Sequence, residues 1–385
     1  MKRFISFSFI LLTFMCLGLV SVSAQTDETM DYEEINENLC NTLDIQQLYL
    51  SLPDETKDVL KLMGVADAGP ATLENVTFIS IMNGVGNSVK TQGANVFKTF
   101  SVITAVILIY ALFDGFTQSL TGVTLKEVLS VVCALCLACA LVIPVTSVIN
   151  ETATVIATAT NFMLCYVPVM CAVLVTCGKS LSSSGYYALM IGAAELISQL
   201  CHKVITPMLN VFLGVSICSS VVPQINLNGI TSFFAKTVKW LLSFTFTIFS
   251  ALLTFRTLIS TSVDTVSTRA VRYTVSSFVP IVGTALAEAY KTVQGSVNIL
   301  KNGMGVFVIF AVGAVFLPVI VKLLLWSFSV NLCKSISQVI NLSLPVQMLS
   351  GVSTVLSVLF AVNICIMALY IISTALIITA GGNAM

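Results

Sequence analysis

After Lys98 the chain alternates between long apolar runs, at 100–113, 128–145, 155–177, 186–222, 240–259, 303–326 and 352–380, and short polar stretches between them. A helix crossing about 30 Å of hydrocarbon needs about 20 apolar residues, and most of these runs reach or approach that length. Strand-type alternation is absent, which argues against an outer-membrane barrel. The pattern predicts an all-α polytopic integral membrane protein with about six to eight crossings. Proline removes a backbone hydrogen bond that neighbouring protein or water must replace. Pro168, Pro207, Pro280 and Pro318 are therefore candidate helix breaks, Pro144 stands beside another run, and broken or re-entrant helices are expected. The regions 189–222 and 276–300 are compatible with spanning or with re-entry.

The pattern before Lys98 differs. Lys2 and Arg3, an apolar stretch over 4–20 and the small residues of Val22-Ser23-Ala24 form a secretory signal over 1–24, with the mature chain starting at Gln25. A lipidation site would need small residues before Cys16, where Phe14-Met15 stand; an uncleaved anchor is the alternative. From 25 to 97 the segment reads as extracytoplasmic. Leu43, Ile45, Leu48 and Leu50, then Val59, Leu60, Leu62 and Val65, have the spacing of two short amphipathic helices. This segment serves either as a solvated leader or as a docking arm for a partner outside the membrane.

Charge sharpens that division. Between 25 and 98 there are twelve acidic residues against Lys57, Lys61, Lys90 and Lys98, while everything after Lys98 carries six acidic and twelve basic residues. Overall the chain is 57% hydrophobic and 9% charged, against about 25% charged in soluble domains, so a water-soluble fold is excluded. No basic stripe with interleaved aromatics offers a nucleic-acid footprint. Of twelve cysteines, Cys16 lies in the signal and Cys40 alone in the exported segment; the other ten sit in apolar runs, where cysteine behaves as a small hydrophobe.

Laid on itself at an offset of about 112 residues, the chain shows two halves, 126–237 and 239–350, followed by a closing helix over 352–380 within the membrane domain 98–385. Lys126, Thr146-Ser147-Val148, Val167-Pro168 and Pro207 line up with Lys239, Thr261-Ser262-Val263, Val279-Pro280 and Pro318. From the Lys to the first Pro is 42 residues in one half and 41 in the other. Internal duplication is expected on this spacing, as in many transporters and channels. Lys126 and Lys239 both precede their helices, which makes the repeat parallel with both on the cytoplasmic side; Arg269 and Arg272 fit that orientation poorly.

Ionisable residues inside apolar segments are functional candidates because a charge at the bilayer centre costs several kcal/mol. Glu195, with His202 seven residues on and on roughly the same face, and Glu288 in the second half are the candidates for a polar pathway or for helix pairing; interfacial placement is the plain alternative. Asp114, Arg256, Asp264, Lys322 and Lys334 lie nearer segment ends, where long side chains reach the interface. Catalytic constellations are missing: there is one histidine, no Gly-x-Ser-x-Gly elbow, and Gly178-Lys179-Ser180 lacks the earlier glycine of a phosphate loop, which would fall at Val173. Cys133, Cys136 and Cys139 lack a fourth ligand. No enzyme activity, metal or cofactor is expected.

The stretch 278–305, FVPIVGTALAEAYKTVQGSVNILKNGMG, resembles the signature region of the stage III sporulation protein AE family, and the layout of signal, exported segment and polytopic domain is similar throughout. Glu288 stands where the family favours Asp, which keeps the carboxylate. The resemblance implies a role in endospore formation, in the mother-cell membrane around the forespore. It implies a permease-like component of the channel between the two compartments, alongside other membrane proteins, ring-forming partners and a small ATPase, with no catalysis. Membrane lipid is the surrounding partner, and a homo-oligomer is compatible with the sequence. Two rivals are an autonomous ion-coupled secondary transporter and a membrane scaffold without its own pathway.

Overall fold

The computed structural model describes residues 45–65, 77–119, 123–221, 228–278 and 283–379. The signal over 1–24, most of the acidic stretch that follows it and Pro280 lie outside the described residues. Every regular element described is helical. Two short helices, α1 (Ile45–Leu50) and α2 (Asp54–Leu62), precede α3 (Phe78–Ser119), α4 (Val123–Thr176), α5 (Ser180–Leu200), a π-helical turn (Cys201–Ile205), α6 (Thr206–Val221), α7 (Asn228–Phe278), α8 (Gly283–Val339) and α9 (Ser343–Thr379). Because the π turn joins α5 to α6 without a loop, six of the resulting rods are long and apolar enough to cross a membrane.

Seven apolar runs become six rods because 128–145 and 155–177 belong to one helix. The polar stretch between them, Thr146 to Thr154, contains no glycine and continues the α4 backbone, so it interrupts hydropathy and not structure. Two of the four expected proline breaks resolve similarly. Pro144 and Pro168 lie inside α4 and Pro318 inside α8, both unbroken. Among the described candidates Pro207 alone coincides with an irregularity, standing directly after the π turn at the start of α6. A missing N–H is tolerated in a membrane helix when neighbouring helices hold the rod in place, and α4 and α8 are packed on several sides.

Three tight turns share one closing device. At Gly64 (φ 88°), Gly178 (φ 75°) and Asn341 (φ 60°) the chain enters the left-handed region. There paired backbone bonds finish α2, α4 and α8: Val65 N–H to Leu60 O, Lys179 N–H to Leu174 O and Leu342 N–H to Ser337 O, each 2.9 Å. Glycine, and less often asparagine, adopts this conformation at low cost, and the bonds satisfy carbonyls the helix end would leave open. Gly178-Lys179 is therefore a helix stop. The turns at Gly178 and Asn341 force antiparallel neighbours, and the end of α9 lies beside Lys301 of α8, so the bundle has an α4–α5 end and an α8–α9 end.

The core surrounds α9, which carries no charged residue and packs against α8, α7, α6 and α4. Its buried face includes Leu349, Val352, Val355, Val362 and Tyr370. At about 1.5 Å per residue it is about 55 Å long, more than a bilayer's hydrocarbon thickness, and burial among other rods is what lets so long an apolar helix exist. Glycines set the closest approaches: a Cβ at Gly305 would overlap Ile378, and one at Gly351 would overlap Ser216. Polar bonds cross the core at Thr160–Tyr370 (2.8 Å) and Asn363–Thr152 (3.4 Å). Near the α4–α5 end α2 docks on the outside of α8 and α3 and α1 lies against α4, burying Leu48, Leu52, Val59 and Leu60, with Tyr49 of α1 6.5 Å from Phe307 of α8. The two amphipathic helices read from the sequence thus have a definite seat.

The expected halves are both helical hairpins that start at the α8–α9 end, so Lys126 and Lys239 share that end and Arg269 lies towards the other. Their registers differ, however. The offset that aligns the prolines carries the turn at Cys177–Lys179 onto positions inside α8. Internal duplication is not established by this fold.

Candidate functional site

Interacting ionisable side chains stand at the α4–α5 end of the bundle and at mid-depth. At the α4–α5 end they close helix termini. Asp264 of α7, 4% exposed, accepts the backbone N–H groups of Ser182 (2.8 Å) and Leu181 (3.3 Å), two of the donors that the start of α5 leaves without an intrahelical partner. Lys301 of α8, 1% exposed, donates to Ile378 O at 2.9 Å, satisfying a carbonyl in the last turn of α9. Each charge stands at the helix end whose dipole favours it. Lys179 is buried beside them; burial holds it below the ordinary lysine range, against the pull of Cys177 and Asp264 towards the charged form. Gln294 donates to Cys177 O (3.2 Å), tying the turn to α8. Asp264 thus folds inward instead of reaching for the interface.

At mid-depth lies the arrangement the sequence did not suggest. Glu151 of α4 and Lys322 of α8 form an ion pair, with side chains 30% and 19% exposed. Its level is fixed by the adjacent Thr152, which meets Asn363 near the middle of α9. Around Glu151, Thr146, Ser147, Asn150 and Thr154 line an open groove of about 640 Å³ on the flank of the bundle. Polar side chains this deep, presented outward, are costly against lipid tails. Paired oppositely, Glu151 and Lys322 reduce that cost and hold α4 to α8, while Asn150, Ser147 and Thr154 keep unused hydrogen-bonding capacity on the surface.

The residues singled out from sequence are placed differently. Glu195 is exposed on α5, accepting from Gln199 Nε2 at 2.7 Å. His202, in the π turn, is exposed as well, so both face outward and neither enters the packed interior. Glu288 lies within α8, and its side chain is outside the described residues. Cys133 is buried whereas Cys136 and Cys139 are exposed, so the three thiols do not converge. Among the described residues no group of three or more metal-ligating side chains comes together.

Glu151 and its groove went unseen because its partner is distant in sequence and its polar neighbours read as a connection. The signal that could have found it is the helical spacing of Ser147, Asn150, Glu151 and Thr154, without a glycine or proline among them.

Comparison with curated proteins and with solved structures gives no match. The chain does match the model of one family, stage III sporulation protein AE, over residues 71–381, which takes in all six long rods and the resembling stretch 278–305. The protein therefore belongs to the stage III sporulation protein AE family.

Proposed function

We propose that this protein is a non-enzymatic, permease-like or pore-forming subunit of the mother cell to forespore channel complex required for endospore development, and that its polar pathway is completed between subunits. The observation that carries this reading is the outward-opening groove at mid-depth, with Asn150, Glu151 and Lys322 on the flank of a bundle whose centre is filled by α9. A pathway along such a flank becomes enclosed when a second subunit or a partner membrane protein covers it. An autonomous ion-coupled transporter would instead place its coupling groups inside a single bundle, whereas Glu151, Lys322 and Glu195 all open outward. With an exported N-terminus, six crossings put α1, α2 and the end of α9 on the extracytoplasmic side of the mother-cell membrane, where α2 offers Asp54, Glu55 and Asp58 to ring-forming partners.

The test is complementation of a deletion strain. Deletion is expected to arrest development after engulfment, and Glu151→Gln/Lys322→Gln, present at normal membrane level, is expected not to restore it. Glu195→Gln/Glu288→Gln asks the same of the other carboxylates. A deletion without developmental effect removes the channel reading; full rescue by both double variants favours a scaffold without a pathway.

A further inference from the structure

At the α8–α9 end, α6, α8 and α9 part around a cavity of about 470 Å³, with the start of α7 as its rim. Its wall is polar although the rods that form it are apolar. Ser216, Ser219 and Ser232 line one side; Gln338, Gln347 and Lys334 line the other. Lys334 donates to Ser350 Oγ at 3.0 Å, which engages one of its three N–H groups with a neutral partner. No carboxylate is available to neutralise it from these segments: the sequence contains no Asp or Glu between 196 and 263, and none after Glu288. Lys236, one helical turn beyond Ser232 on α7, is exposed. Gly351 brings α9 so close to Ser216 that any side chain there would displace it, which fixes the width of the inner wall.

A half-buried ammonium beside hydroxyl and amide groups, with no acid in the stretches 196–263 and 289–385 from which the cavity is built, has the complement of an anion. Ser232 donates its hydroxyl to Gly229 O, so the donors come from Ser219 of α6, Lys334 and Gln338 of α8, and Gln347 and Ser350 of α9, and three helices approaching from different directions suit a tetrahedral oxyanion better than a planar carboxylate. We propose that this cavity binds a phosphate-bearing anion at the membrane boundary, with Lys334 as counter-charge and the Ser219 and Ser350 hydroxyls and the Gln338 and Gln347 amides as additional donors. Lysine serves such sites as a point charge and does not require the bidentate geometry of arginine. The source is either the headgroup of an anionic phospholipid or a free phosphate.

The experiment uses the full-length protein purified in a neutral maltoside, with thermal stability followed during titration with phosphatidylglycerol, with phosphatidylcholine, or with inorganic phosphate at constant ionic strength. A ligand that binds the folded form raises the midpoint saturably. Expected is saturable stabilisation by phosphatidylglycerol or phosphate, retained in Lys334→Arg and weaker by about tenfold or more in Lys334→Gln, the loss of one charge-assisted contact. Stabilisation by phosphatidylglycerol alone assigns the site to a lipid headgroup; stabilisation by phosphate as well assigns it to the free anion. Ser219→Asp leaves Lys334 in place, sets a carboxylate into the wall, and must abolish the effect independently. The proposal is overturned if neither anion stabilises saturably, if phosphatidylcholine acts equally, or if Lys334→Gln and Ser219→Asp bind as the unmodified protein does.

Discussion

Replacing Asp264 tests whether the charged residues at the α4–α5 end hold the bundle together. Asp264→Ala deprives the N–H groups of Leu181 and Ser182 of their acceptor in a site only 4% exposed. Loss of a capping side chain costs about 0.5–2 kcal/mol, and each buried donor left unsatisfied costs about 1–3 kcal/mol. Water entering the end of the bundle offsets part of this, so the expected loss is about 2–4 kcal/mol. Asp264→Asn keeps one acceptor oxygen and should lose about half as much. Unfolding of the purified protein can be followed with a thiol-reactive dye, because Cys133, Cys171, Cys177, Cys201 and Cys333 are buried and become reactive only when the bundle opens. Stability of Asp264→Ala within about 0.5 kcal/mol of the unmodified protein, the range of an ordinary surface change, would refute the capping role.

Three further outcomes follow from the packing. Gly305→Val forces a branched side chain into Ile378 and should destabilise the α8–α9 contact by about 1–3 kcal/mol, read from the same thiol assay. Tyr370→Phe removes the 2.8 Å bond to Thr160 within the core and should cost about 1 kcal/mol, with unchanged expression as the check on folding. Leu60→Ala empties a fully buried position in α2 and should cost the seat of α1–α2 about 2–5 kcal/mol. Limited proteolysis should then cut within 45–65 while the six rods remain intact.

Most of the bundle was legible in hydropathy alone. The apolar runs located every long rod, and the spacing of Leu48, Val59 and Leu60 gave the two amphipathic helices, because both signals are local. What failed depended on contacts distant in the chain. The stretch 146–154 looks like a loop when hydropathy is averaged, yet it has no helix breaker and is held by Glu151 pairing with Lys322, 171 residues away. Proline marks a lost hydrogen bond wherever it occurs, but packing around α4 and α8 decides whether the helix breaks, and at Pro168 and Pro318 it does not. Asp264 and Lys301 are far in sequence from the helix ends they cap, so their roles appear only once α7 lies beside α5 and α8 beside α9. The candidate site suffered similarly: Glu195 was visible as a charge in an apolar run, but its outward placement depends on which face of α5 the other rods cover.

The proposed pathway requires that the groove beside Glu151 line an aqueous path in the assembled complex. In membranes from sporulating cells, with the exposed Cys136, Cys139, Cys165 and Cys218 replaced by serine, Asn150→Cys and Phe255→Cys can be exposed to a water-soluble maleimide that does not enter lipid. Phe255 lies on the outward apolar face of α7 and reports the lipid environment. The account predicts that Asn150→Cys is modified and Phe255→Cys is not. An Asn150→Cys protein that supports sporulation yet stays as unreactive as Phe255→Cys would contradict it.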